Sequence, residues 1–159
     1  RAFAMTDAAS TPQTDPPASR AKTPIWFWVV AVIALVWNAM GAFDYVMTQY
    51  RVDWYLESLT EAQSAYFFGF PAWYDAIWAS AVFAAFAASL ALLIRSRFAG
   101  PLFLASIMLF LVSAAYVYGF TPAIEMMGAG GTVFSLVILA SLVALWRLSA
   151  WARDRGILR

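Results

Sequence analysis

The stretch Ile25–Gln49, IWFWVVAVIALVWNAMGAFDYVMTQ, constrains this chain more than any other. Its first half is an unbroken apolar run, and about 20 apolar residues rising ~1.5 Å each cross the hydrocarbon core of a bilayer. Three more apolar stretches follow, at about 72–94, 101–118 and 132–151. With no water in that core, each backbone donor and acceptor must be satisfied inside its own segment, so such runs become helices. The expected fold is all-α: an integral membrane four-helix bundle whose first span covers about 24–48, with Pro24 at a favourable first-turn position.

Charge sets the expected orientation. Arg20 and Lys22 precede the first span, Arg95 and Arg97 separate the second from the third, and Arg147, Arg153, Arg155 and Arg159 close the fourth. The opposite side carries Arg51 among Asp53, Glu57, Glu61 and Glu125. Cytoplasmic loops are enriched in Lys and Arg, which predicts that both termini face the cytoplasm. Trp73 and Tyr74 on the outer side, with Trp146 and Trp151 on the inner, are placed to form interfacial aromatic belts.

The remaining composition mostly excludes. Only 12% of the 159 residues are charged, against about 25% in a soluble domain. The chain has no cysteine and no histidine, so disulfides, thiolate chemistry, imidazole metal sites and histidine acid–base catalysis are all out of reach. No catalytic residue, cofactor or metal site is expected, and the lack of a basic patch argues against nucleic acid.

Along the chain, Met5 reads as the natural start and Arg1–Ala4 as an appended remnant. Residues 1–23 are rich in Pro, Ser, Thr and Ala without apolar period, and are expected to be a disordered tail. The first apolar run is longer than a signal-peptide core, which favours a retained span. In the outer connection after it, Thr60-Glu61-Ala62-Gln63 forms a capping-box pattern that predicts a short surface helix over Glu61–Phe68, with Tyr66, Phe67 and Phe68 on the membrane surface. Gly119–Gly131 reads as a second outer loop, flexible and glycine-rich, and 152–159 as a basic cytoplasmic tail. The segments Tyr66-Phe-Phe-Gly-Phe-Pro-Ala and Tyr116-Val-Tyr-Gly-Phe-Thr-Pro-Ala echo each other, as a duplicated helix pair or two interfacial turns would.

Few residues invite a functional reading. Asn38 is ~20 Å into the first helix, where an amide facing lipid is expensive and should turn into the bundle. Gly41 or Ala42, Tyr45, and Thr48 or Gln49 recur on roughly its face. That face is either a packing face glued by one interhelical hydrogen bond or the polar lining of a solute pathway. Asp44 and Asp75 are carboxylates near the outer ends of their spans. They are solvated or Arg51-paired helix-end charges, or they join Asn38 and Tyr45 in an outer vestibule that binds a polar or cationic solute. Ala76, Ser80, Ala84 and Ala88 repeat every four residues as a small-residue stripe. With Gly41, they are expected to let helices approach closely, in a homo-oligomer or a larger membrane complex.

Trp37, Asn38, Gly41, Asp44, Tyr45, Thr48, Gln49, then Gly69, Phe70 and Pro71, within four spans of this length and order, resemble a family of small bacterial inner-membrane proteins common in alphaproteobacteria. The resemblance covers Pro24 to Arg159. Members are uncharacterised or labelled sugar transporters, which implies a multi-pass inner-membrane protein and a permease for a small polar solute such as a sugar. The alternative is a non-transporting accessory subunit.

Overall fold

The computed structural model describes residues 23–159; the N-terminal tail expected at 1–23 lies outside them except for Thr23. Six helices follow in order: α1 Ile25–Gln49, α2 Asp53–Leu56, α3 Glu61–Phe68, α4 Ala72–Leu93, α5 Ala99–Phe120 and α6 Ala123–Asp154. Four of them, α1, α4, α5 and α6, are long and apolar enough to cross a membrane. This is a four-helix bundle, and the chain is a multi-pass membrane protein.

Proline starts these helices. Pro24, Pro71 and Pro122 stand at the N-caps of α1, α4 and α6, with φ of −63°, −71° and −77°. The ring fixes φ near these values, and the N–H it lacks has no partner in a first turn anyway. The helix C-termini close by a different device. Arg51, Arg95 and Gly156 follow α1, α4 and α6 in the left-handed region, at φ 50°, 59° and 67°. The residue after each reaches back over the last turn: Val52 N–H donates to the Met47 carbonyl, Ser96 to Ala91 and Ile157 to Ala152. Glycine adopts this conformation freely, whereas the two arginines are held there against steric preference.

The expected surface helix forms at α3, with the capping box in place: Gln63 N–H donates to Thr60 Oγ1 at 3.2 Å, and Thr60 N–H to Gln63 Oε1 at 3.1 Å. Its aromatic residues make contacts within the chain. Tyr66 hydrogen-bonds Thr121 at 2.7 Å, Phe67 faces the interior of the bundle, and Phe68 lies beneath the Arg51 guanidinium at 4.3 Å. The second outer loop is also shorter than the glycines suggested. α5 continues to Phe120, and Ala123 already begins α6. Gly128, at φ 66° and ψ −175°, interrupts α6 as a kink. The other glycines there are absorbed into helix, because ~1 kcal/mol each is small beside the packing of a full span.

Neighbours in the bundle run α1–α4–α5–α6. Side-chain hydrogen bonds cross each of these interfaces. Asn38 Nδ2 donates to Ser89 Oγ at 2.9 Å, Ser106 Oγ to the Ala81 carbonyl at 2.8 Å, and Tyr118 to Ser135 Oγ at 3.0 Å. Among the described residues α1 and α6 meet instead through rings, Trp26 on Trp151 at 5.0 Å and Trp37 on Phe134 at 6.0 Å.

Buried residues form two clusters. The larger centres on Phe27, Ala31, Ala88, Leu92, Phe103 and Ala152, and fills the half of the bundle at the chain termini. The smaller gathers Tyr74, Val117 and Ala123, with Phe70, Trp78 and Tyr116, at the opposite end. Tyr74 is therefore a core residue rather than a belt residue, while its neighbour Trp73 stays exposed.

The four-residue stripe on α4 does not stay on one face. Ala76 and Ser80 are exposed, Ala84 is half-buried and Ala88 is fully buried. Steps of four drift by ~40° on a helix of 3.6 residues per turn, so Ala76 and Ala88 point ~120° apart. The buried line is Ala81, Ala85, Ala88 and Leu92, and it packs within the chain.

The segment 155–159 is not a free tail. Gly156 turns it back, Ile157 and Leu158 are buried, and Arg159 bonds both ways with the α4–α5 turn: Arg97 N–H to the Arg159 carbonyl and Arg159 N–H to the Arg95 carbonyl, each 2.8 Å. Arg95 also reaches Thr23 Oγ1 at 3.1 Å. Thr23, Arg95, Arg97 and Arg159 thus meet at one end of the bundle, with Asp44, Asp53, Glu57, Glu61, Asp75 and Glu125 toward the other.

Candidate functional site

Between the two clusters lies a cavity of about 560 Å³, within the range of small-molecule sites. Ala85 and Leu142 of the larger cluster form its floor, and Tyr74 and Val117 of the smaller one line its wall. Tyr55 of α2, with Tyr66 and Phe67 of α3, roofs it. That roof is tied down on both sides. Tyr55 donates to Asp44 Oδ1 at 2.6 Å, while Gln63 Nε2 donates to the Met126 carbonyl at 3.0 Å and Tyr66 bonds Thr121.

The site is built on the geometry of α1. Asn38 and Tyr45 differ by only ~20° around the helix, while Gly41 and Asp44 stand ~60° and ~120° to one side. The first pair therefore faces α4 and the second faces the cavity. Asn38 is buried and sits on the boundary. Its Nδ2 donates to the Ala34 carbonyl at 2.9 Å and to Ser89, which holds α1 on α4. An acceptor-only carbonyl fixes that orientation of the amide. Among the described residues no buried side-chain polar atom lacks a partner, so the unbonded Oδ1 is the accessible part of Asn38, and Asn38 lines the cavity. The amide serves packing with one end and offers an acceptor with the other.

Gly41 also lines the cavity, where an added Cβ would meet nothing within 4 Å. It creates volume and makes no close helix contact, contrary to the packing role expected of it. Asp44 is exposed at the rim, and its partner is Tyr55 and not Arg51, which lies over Phe68. Tyr45 and Asp75 are not on the cavity wall. Tyr45 packs against Trp78 at 4.9 Å and Phe83 at 5.8 Å. Asp75 occupies the first turn of α4, where a negative charge complements the helix dipole. The structure thus brings Asn38, Gly41 and Asp44 together and leaves Tyr45 and Asp75 outside.

Sequence reasoning passed over Tyr55, Ser106, Tyr118 and Ser135, all on the cavity wall. Ser106 carries a readable signal, a lone hydroxyl in an apolar stretch. Tyr118 and Ser135 carry none until α5 and α6 are paired. The two echoing segments meet here too, through Tyr66–Thr121 and a Phe70–Tyr116 ring contact of 6.3 Å. Among the described residues no three carboxylates converge on a possible metal position, and Asp44 is the one carboxylate on the cavity wall.

The Tyr55–Asp44 bond makes a prediction in alkali. Burial, then the hydrogen bond to Asp44 and its charge, push the Tyr55 phenol up to about 12 from 10.0. A raised phenol holds its proton more tightly in the folded state, so the stabilisation is complete below pH 10.0 and is lost as pH rises toward about 12. A phenolate absorbance titration is expected to lose one tyrosine's amplitude near pH 12 in Tyr55→Phe relative to the wild type. Proteolysis within residues 50–60 should rise over the same interval.

Comparison with known proteins gives no matching family model, no matching curated protein and no matching solved structure.

Proposed function

We propose that this protein is a small permease of the bacterial inner membrane that takes a polar small solute, a sugar among the candidates, into the cavity beneath α2 and α3. The observation that supports the reading is the cavity itself: an accessible amide oxygen at Asn38 and a carboxylate at Asp44, within a largely aromatic and aliphatic wall, reaching the surface at Asp44 beside the α2–α3 roof and floored by the larger cluster. The aromatic faces of the wall can stack on the C–H faces of a sugar ring. With the basic end in the cytoplasm, the mouth faces outward.

Gly41→Leu tests this reading. A Cβ there meets open space, leucine gains ~1 kcal/mol of helix propensity over glycine, and the side chain enters the cavity. Solute uptake into proteoliposomes is expected to fall at least tenfold, with thermal stability equal to or above wild type. Uptake at the wild-type rate would remove the cavity from the pathway. One observation favours a second reading, an accessory subunit or homo-oligomer: Ala76 and Ser80 expose a small-residue face to lipid, where close helix approach is possible. On that reading Gly41→Leu is silent and Ala76→Phe releases the partner.

A further inference from the structure

We propose that the cavity's ligand is an organic cation with a hydrophobic body, such as an alkyl- or arylammonium, rather than an uncharged sugar. This rests on the reading of the cavity as a solute site and names the class of solute. Three independent features converge on it. The first is charge within the site: Asp44 is the one ionisable carboxylate among the wall residues, and neither Lys nor Arg lines the wall. Arg51, the basic residue nearest in sequence, is spent on the Phe68 ring at 4.3 Å. Tyr55 bonds only Oδ1 of Asp44, which leaves Oδ2 for a ligand.

The second feature is the wall. Phe43, Tyr55, Tyr66, Phe67 and Trp78 surround the rim and upper wall, with Phe43 and Tyr55 edge-to-face at 5.9 Å. Ring faces attract cations, and cages of this composition recognise ammonium groups that have shed water. A sugar would instead need several hydrogen-bonding side chains. The Ser106, Tyr118 and Ser135 hydroxyls each spend their donor within the bundle, which leaves them only as acceptors. The third feature is the long-range field. Asp44, Asp53, Glu57, Glu61, Asp75 and Glu125 make six of the chain's nine acidic residues, and all lie toward the cavity end, where Arg51 is the sole basic residue among the described residues. Such a surface concentrates cations at the mouth. Below the rim, Trp37 forms both cavity wall and one side of an apolar groove between α1 and α6, so the hydrophobic body finds matching surface.

The test is equilibrium binding to the full chain in detergent micelles, read by tryptophan quenching, with tetraphenylphosphonium, its neutral analogue triphenylphosphine oxide, and glucose as probes. We expect saturable tetraphenylphosphonium binding at least tenfold tighter than the neutral analogue. It should weaken at least tenfold in Asp44→Asn, survive in Asp44→Glu and stay unchanged in Asp154→Asn, at the opposite end of the bundle. Tyr55→Phe, which keeps the ring and frees Oδ1, is expected to tighten binding several-fold and serves where Asp44→Asn fails to assemble. Equal affinity for cation and neutral analogue, equal affinity of wild type and Asp44→Asn, or weaker binding in Tyr55→Phe would each overturn the proposal. Glucose binding that Gly41→Leu abolishes, with no cation binding, would overturn the cation and keep the cavity. Gly41→Leu without effect on any probe would overturn both.

Discussion

Ala88→Phe is expected to prevent stable assembly of the bundle, while Ala76→Phe on the same helix leaves folding intact. Ala88 is fully buried among Phe27, Ala31, Leu92 and Phe103, at the level where α4 meets α1. A phenyl ring there has no space and must force the helices apart. Overpacking in a close-packed interior costs ~1–3 kcal/mol even for modest additions, and a whole ring belongs at or above the top of that range. In lipid the loss is felt fully, because helix association rests on packing and on interhelical hydrogen bonds such as Asn38–Ser89, whose geometry the displacement would also break. Ala76 is exposed, so its ring would lie against lipid. The measurement is the fraction of folded monomer by size-exclusion chromatography and thermal unfolding in detergent. Equal behaviour of the two variants, or loss of an oligomer in Ala88→Phe with a stable monomer, would place Ala88 between chains instead of within one.

The second large effect concerns the end of the chain. Replacing Ile157 and Leu158 together with alanine is expected to cost ~3–6 kcal/mol, from ~1.5–3 kcal/mol for each buried side chain. Both residues are buried, and they belong to the same cluster as Ala99, Phe103 and Ala152. Removing them loosens the α4–α5 turn that Arg159 bridges through its backbone. Because that bridge uses Arg159 N–H and carbonyl, Arg159→Ala should shift stability by only a few tenths of a kcal/mol. Unfolding in denaturant, followed by the Trp26–Trp151 contact through fluorescence, separates the two. A double variant as stable as wild type would mean that the segment merely rests on the bundle.

How much was legible beforehand depended on which physical term decided each feature. Insertion into a membrane is a local matter: the length and apolarity of Ile25–Gln49 and its three counterparts require helices whatever their neighbours. The α3 capping box is equally local, since Thr60 and Gln63 satisfy each other's backbone within one turn. Pairing and direction are not local. Asn38 was legible as a residue that must face inward, but the division of its amide between Ser89 and the cavity needed the position of α4. The stripe from Ala76 to Ala88 failed as one face because a spacing of four outruns the helical turn. Gly41 and the Ala residues look alike as small side chains, yet one leaves volume and others permit contact. The carboxylates divided for the same reason: a rotation of ~100° per residue places Asp44 on the rim, and the register of α4 leaves Asp75 off it. The sequence by itself determined four membrane-spanning helices, with most of the basic residues that flank them on one side, because a run of about 20 apolar residues satisfies its backbone in lipid as a helix. Only the tertiary structure decided that those helices leave a chamber beneath Tyr55 and Tyr66, because a cavity is the space between surfaces and belongs to no single segment.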